Sequence, residues 1–468
     1  MVPRRGARYG AAGLLALAVL ASARPGGDGA AAGPAFVVST LANPVFTGAD
    51  TEPSLRLARD GTAYVGAIRG FPRGVDLWRV GAGGGPAAYL GSPDTDVPTP
   101  CCTALGGGDM DLVVTDDGAV AYTSLWLGSL TVGRSSDGGH TFVSQPLGSP
   151  VAGDDRPWLA TDGGAVYMTF HDILSGNIDV ERSAAGPEAG LVYAPQRPIL
   201  PPTDVAVGNN QIGPLLADRH RPGLLYQVYT TTSEPMISIT TGPGSGQNSV
   251  RMATSDDGGA SWTLHTIFTG PPATGYASIF PAAAVDRAGT VYVAVSDNSG
   301  VLVFSSADRG ATWRGPVRVE PPTGGATVFP WISAGGPGGV VVAWLGSRVA
   351  GVDAPDASWQ VYAAESLDAA APAPAYRLFT VSDRPVHAKG ICQQGIGCRS
   401  GRELGDFFSV EVGPDGVANF AWADDGLGGP AVVRYARGGL VLGAPNHPPG
   451  GESRTGRNAL PPVAPPVP

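Results

Sequence analysis

The sequence predicts an all-β protein, a seven-bladed β-propeller of four-stranded antiparallel blades closed by its N-terminal strand. Three observations lead there. One pattern recurs seven times along the chain, its segments have the periodicity of strands, and 70 glycines and 44 prolines in 468 residues supply the turns that many strands need.

The recurring pattern is a short apolar run, a glycine turn and a second strand ending in polar residues. It reads EPSLRLARDGTAYVGA from Glu52, GDMDLVVTDDGAVAYTSLW from Gly108, DDRPWLATDGGAVYMTFHD from Asp154 and NQIGPLLADRHRPGLLYQVYT from Asn210. It continues as ASIFPAAAVDRAGTVYVAVSD from Ala277, TVFPWISAGGPGGVVVAWLGS from Thr327 and GDFFSVEVGPDGVANFAWADD from Gly405. The turn glycines are Gly61, Gly118, Gly164, Gly223, Gly289, Gly339 and Gly416. Runs rich in Val, Tyr, Trp and Phe alternate or are fully apolar, and i, i+3, i+4 spacing is nearly absent, so the segments are strands. Most units add a third strand, such as SLTVGRSS or NSVRMATS, and a fourth, such as TFVSQPL or SWTLHTIF. Four antiparallel strands repeated radially make a propeller blade.

The last unit supplies three strands, ending at AVVRYARGG. The segment AFVVSTLANP at 35–44 is similar to AYRLFTVSDRP at 375–385, a fourth strand, and is expected to complete the final blade and cover its edge.

Between third and fourth strands stands a fixed motif: SSDGGHTF at 135–142, SDDGGASW at 255–262 and SADRGATW at 306–313. Carboxylates of Asp137, Asp257 and Asp308 suit turn N–H groups. Gly139, Gly259 and Gly310 tolerate left-handed backbone. Thr141, Ser261 and Thr312 add hydroxyl bonds, and Phe142, Trp262 and Trp313 bring ring area to pack beneath the hairpin. One such turn per blade points outward in several directions and does not converge on one ligand, so these aspartates are structural.

Arg4, Arg5 and Arg8, the apolar run AAGLLALAVL and Ala21-Ser22-Ala23 form a secretory signal over 1–23, too short for the roughly 18–20 apolar residues of a membrane span. A linker over 24–35, the propeller over 36–443 and a proline-rich disordered tail over 444–468 complete the division. The protein is expected to be extracellular and monomeric. A formal charge of −10 argues against nucleic acid as partner. Basic residues are almost all arginine, Lys389 being the only lysine. Export permits disulfides: Cys392 and Cys398 flank the loop CQQGIGC and could bridge it, whereas Cys101 and Cys102 are adjacent, and cross-pairing of the two loops stays open.

The three turns resemble the Asp-box, or bacterial-neuraminidase-repeat, motifs of the sialidase superfamily. The region 36–443 looks like its secreted bacterial branch, the sialidase-like or exo-α-sialidase family, through DDRPWLATD, FPWISAGGPGGVVVAWLGSR and LGDFFSVEVGPDGVANFAWADD. That resemblance implies three arginines clamping a substrate carboxylate, a tyrosine–glutamate nucleophile and an aspartate for the proton. Here Thr51 stands where the first arginine belongs, in Asp50-Thr51-Glu52-Pro53, and threonine offers no bidentate, charge-assisted contact. Arg69 lies near another arginine-bearing segment with its register off by one.

Propeller geometry places function where loops feed the innermost strands around the channel. Those positions are polar: Glu52, Asp109, Asp111, Asp154, Asp155, Arg156, Asn209, Asn210, Gln211, Arg402, Glu403 and Asp406. Asp109, Asp155 and Asp406 are the candidate acid–base carboxylates for work on a glycoside, and Glu52, Asp111, Arg156, Asn210, Gln211 and Arg402 the candidate binding residues. Asp155 and Arg156 are expected to pair and position Trp158. Trp126, Trp344 and Trp359 are core or sugar-stacking rings. No Cys/His set has zinc spacing, no metal or cofactor is required, and the oxygen-rich ring leaves room for Ca²⁺. The expected function is binding of an extracellular glycan or protein without standard sialidase chemistry; the alternative is an exo-α-sialidase or other glycoside hydrolase using the channel carboxylates.

Overall fold

This computed structural model describes residues 36–70, 72–95, 106–126, 129–147, 153–184, 191–233, 246–319 and 324–445. The expected signal, the linker, Cys101, Cys102 and the tail from 446 onward lie outside them.

Seven antiparallel sheets follow one another along the chain. Their inner strands are Thr51–Leu57, Met110–Val114, Asp154–Thr161, Asn210–Ala217, Ala282–Val285, Thr327–Ala334 and Ser409–Val412. Each inner strand packs against that of the next blade, and the seventh packs against the first, which closes a ring. The N-terminal strand Val37–Thr40 pairs antiparallel with Val432–Val441, Val37 opposite Arg437 and Thr40 opposite Arg434, and is the fourth strand of the seventh blade. Phe36 stands edge-on to Phe420 of that blade and to Phe379 of the sixth, so the closing strand is also held by ring packing.

Blade 3 builds its outer edge from two short segments, Val192–Tyr193 and Arg197–Pro198, both paired with Asn177–Ala184. In blade 6 the third strand, Ser358–Ser366, pairs with Arg377–Thr380 and also with His387–Ala388. The turn glycines follow expectation at Gly61, Gly118, Gly223, Gly289 and Gly416, all with φ between 81° and 88°. In the third and sixth blades the left-handed residue is the preceding glycine, Gly163 or Gly338.

The Ser-x-Asp turns form one repeated bond pattern. In the first, Ser135 donates its hydroxyl to Asp137 (2.7 Å) and accepts the Gly139 N–H (2.9 Å), while Thr141 donates N–H (2.9 Å) and hydroxyl (2.6 Å) to the same carboxylate. Asp257 and Asp308 are held in the same way by Ser255 and Ser261 and by Ser306 and Thr312. These bonds hold all three carboxyls below the usual range. Trp262 and Trp313 donate their indole N–H back to Gly259 and Gly310. A fourth such turn, unnoticed in the sequence for want of its glycine, occurs in blade 6, where Ser366 donates to Asp368 (2.9 Å). Strands alternate in direction, so the turns lie on the face opposite the loops that feed the inner strands. Asp257→Ala is therefore expected to cost about 1 kcal/mol in urea unfolding and to leave ligand binding unchanged.

Candidate functional site at the channel mouth

A proline in the inner strand sets the site. Prolines 53, 157, 214 and 330 each fall within a register shift of their inner strand, between Thr51 and Ser54, Asp155 and Trp158, Ile212 and Leu215, and Val328 and Trp331. Proline lacks the N–H that a ladder needs, so the strand bulges there. At three of the four the preceding residue is forced into left-handed backbone: Glu52 (φ 52°), Arg156 (φ 49°) and Phe329 (φ 55°). Such backbone costs about 1–3 kcal/mol per residue and persists only where the surroundings impose it.

Two of those residues meet. Arg156 donates through Nη1 to Glu52 (3.3 Å) and to Asp109 (3.2 Å), joining blades 1, 2 and 3. Its guanidinium lies 3.9 Å from the centre of the Trp158 ring and 4.3 Å from that of Phe407. Trp158, Phe280, Trp331 and Phe407, from four blades, pack on one another, with Trp331 and Phe407 stacked at 5.3 Å. Arg402 forms a two-pronged pair with Asp406 and reaches Glu52 at 3.7 Å. Gly405 makes room for this: a Cβ there would stand 2.2 Å from the Glu52 side chain, and its φ of 79° suits glycine.

The structure therefore brings together Glu52, Asp109, Asp155, Arg156, Arg402 and Asp406. Four carboxyls face two guanidiniums, and burial raises the proton affinity of three. Burial, then the charges of Asp406 and Asp109, hold Glu52 well above its usual range. Burial raises Asp406 against the opposing pull of Arg402. Burial, then the charge of Asp109, lift Asp155 to about 6. A protonated carboxyl beside an acceptor at neutral pH is a hydrogen-bond donor and a potential general acid.

Other expected site residues lie elsewhere. Asp111 is fully buried and accepts from Ser54, Arg56 and the Leu159 N–H, tying three inner strands together. Asn210 is bonded to His171, Gly176 and Ala206 and holds a loop. Gln211 is half-buried opposite Thr230, outside the network. Arg156 takes Glu52 and Asp109 as partners in place of the expected Asp155, because the bulge turns residues 155 and 156 apart. Trp344 and Trp359 are fully buried and present no ring to a sugar. Arg69 is consumed by Asp76 and Tyr89. Among the described residues no three His, Cys, Asp or Glu side chains are arranged to hold a metal ion, and no helix is long and apolar enough to cross a membrane.

On the same face a cleft of about 1110 Å³ opens between blades 5 and 6. Its wall is the loop closed by the Cys392–Cys398 disulfide, the local pairing among those open from the sequence. Glu403, next to Arg402 of the cluster, lines this cleft. His387 lines it too, its Nδ1 2.6 Å from Asp425. Sequence reasoning missed His387 and Asp425, which lie far apart in the chain and carry no motif.

No protein-family model matches this chain, and no curated protein does. Among solved structures it is similar to a protein of unknown function from Dyadobacter fermentans, at 12% identity over 87% of this chain and 100% of that one, with a TM-score of 0.45. It is also similar to a leech intramolecular trans-sialidase, at 9% identity over 86% and 70% of the two chains, with a TM-score of 0.44. A xyloglucanase from Xanthomonas campestris gives 14% identity, 83% and 53% coverage and a TM-score of 0.46. At these identities the likeness does not reach individual residues.

Proposed function

We propose that this chain is a secreted propeller that binds an extracellular glycan on the face carrying the channel mouth, without standard sialidase chemistry. The observation that carries this reading is the state of the arginines. Arg156 is hydrogen-bonded to Glu52 and Asp109 beneath an aromatic layer, and Arg402 is paired with Asp406. Neither is open to clamp a substrate carboxylate, and Thr51 supplies no guanidinium in their place. Asp109 and Asp155 are partly exposed at the mouth beside the paired Arg402, and such a set of donors and acceptors suits hydroxyl groups. A glycan array probed with the purified protein should give binding concentrated on neutral glycans, weakened at least tenfold by Asp109→Asn combined with Asp155→Asn. Silence across the array, or binding confined to sialosides, would overturn the reading.

The neighbouring carboxyls of Asp109 and Asp155 favour one second reading, a glycoside hydrolase with Asp155 as proton donor. Turnover of fluorogenic neutral glycosides, lost in Asp155→Asn with folding intact, would replace binding by catalysis.

A further inference from the structure

We propose that the cleft between blades 5 and 6 is the subsite that seats an uncharged, many-hydroxylated sugar, with Lys389 and His387 as its contact residues. The inference rests on the glycan reading and gives it a location.

Strain points to this cleft first. Among the described residues nine non-glycine positions have positive φ, and four of them, Ser278, Ile279, Asn298 and Lys389, line this one cleft. Backbone held in such regions concentrates at binding sites, where neighbours impose it. Lys389 donates its N–H to Ala357 (2.8 Å), and its carbonyl accepts the Trp359 indole N–H (2.8 Å). Ile391 donates to Val352 (2.7 Å), and Cys392 to Gly401 (2.9 Å). Asn298 and Gln393 exchange two amide hydrogen bonds, 2.9 and 3.0 Å, fastening the disulfide loop to blade 5. Gln393 also donates to Ser278 (3.0 Å). The wall is set before any ligand arrives, which lowers the ordering cost of binding.

Two groups in this rigid wall are left over. The Lys389 ammonium is exposed and meets no protein partner among the described residues. His387 is 3% exposed, Asp425 takes its Nδ1, and its Nε2 is buried with no partner. With Nδ1 turned to the Asp425 carboxylate, Nε2 is the ring atom left to meet a hydroxyl. A buried polar atom without a partner is destabilising, and a ligand hydroxyl would relieve that cost.

The lining also fixes the ligand class. Lys389 and Arg399 are matched by Asp353 and Glu403, and Asp297 is already paired with Arg318 (2.7 Å). No charge predominates. The remaining polar wall is amide and hydroxyl, groups that both donate and accept, which a sugar answers and an anion does not.

The single lysine makes the test clean. Reductive methylation with ¹³C-formaldehyde labels Lys389 and the amino terminus, giving two separable signals. On titration with methyl glycosides of neutral hexoses, the Lys389 signal should shift saturably with at least one of them. In unlabelled protein, Lys389→Met and His387→Phe should each weaken that glycoside at least tenfold by saturation-transfer NMR, with circular dichroism unchanged. A positive glycan array with a static Lys389 signal would sink the cleft assignment and leave the glycan reading standing. A silent array with a static signal would sink both. A response to sialyllactose alone would overturn the uncharged class.

Discussion

Replacing Arg156 by alanine is expected to cost about 3–5 kcal/mol of stability in urea unfolding, the range for leaving a buried ion without its partner. Arg156 is almost fully buried, and its removal strands Glu52, which is 1% exposed and keeps only Arg402 at 3.7 Å. The guanidinium also fills the space over Trp158 and Phe407, so alanine opens a void among rings from four blades. Two costs are then added, and a double mutant separates them. Arg156→Met with Glu52→Gln removes both charges and keeps much of the volume, and should recover at least half of the loss. A fall below about 1 kcal/mol in Arg156→Ala would mean that the pair contributes little to joining the blades.

The second large effect is on pH. Blade 3 carries Asp154, Asp179 and Glu181 close together, each with one buried oxygen that has no hydrogen-bond partner. Burial, followed by the neighbouring carboxylates, pushes Asp154 and Asp179 up to about 6 and Glu181 to about 8. Glu365 and Glu411 rise to about 7 for the same first cause. The unfolded chain releases these protons near pH 4 to 4.5, and the folded protein holds them until pH 6 to 8. Proton uptake therefore favours the folded state below pH 4, and that contribution is lost as pH rises through 6 to 8. Melting should occur about 3–6 °C higher at pH 5 than at pH 8. Glu181→Gln should raise the pH 8 value and flatten the profile. A melting temperature that climbs from pH 5 to pH 8 would contradict the assignment.

The fold was legible because its signals are local and repeated. Glycine turns, strand periodicity and the Ser-x-Asp turns each occur several times, so a single irregular copy does not hide the pattern. Even the closing strand could be found, since 35–44 matches a fourth strand elsewhere in the chain. The channel-mouth residues were legible for a related reason. Position at the head of an inner strand is a property of the repeat, and it selected Glu52, Asp109, Asp155, Arg156, Arg402 and Asp406 together. It also selected Asp111 and Asn210, because sequence position gives the ring but not whether a side chain turns toward the mouth or into the sheet. The bulge at Pro157 decides that for Arg156. The cleft was illegible because it joins a turn of blade 5 to the long connection between blades 6 and 7, and His387 finds Asp425 only after the ring has closed.

That closure bears on how the protein is made. A chain delivered from its amino terminus must carry Val37–Thr40 as a bare, unpartnered ribbon until Val432–Val441 has been synthesised and laid beside it. Six blades can assemble in sequence while the circle stays open. Pulling on either extremity loads the same sheet, so mechanical force would unfasten the seventh blade before it reached any other.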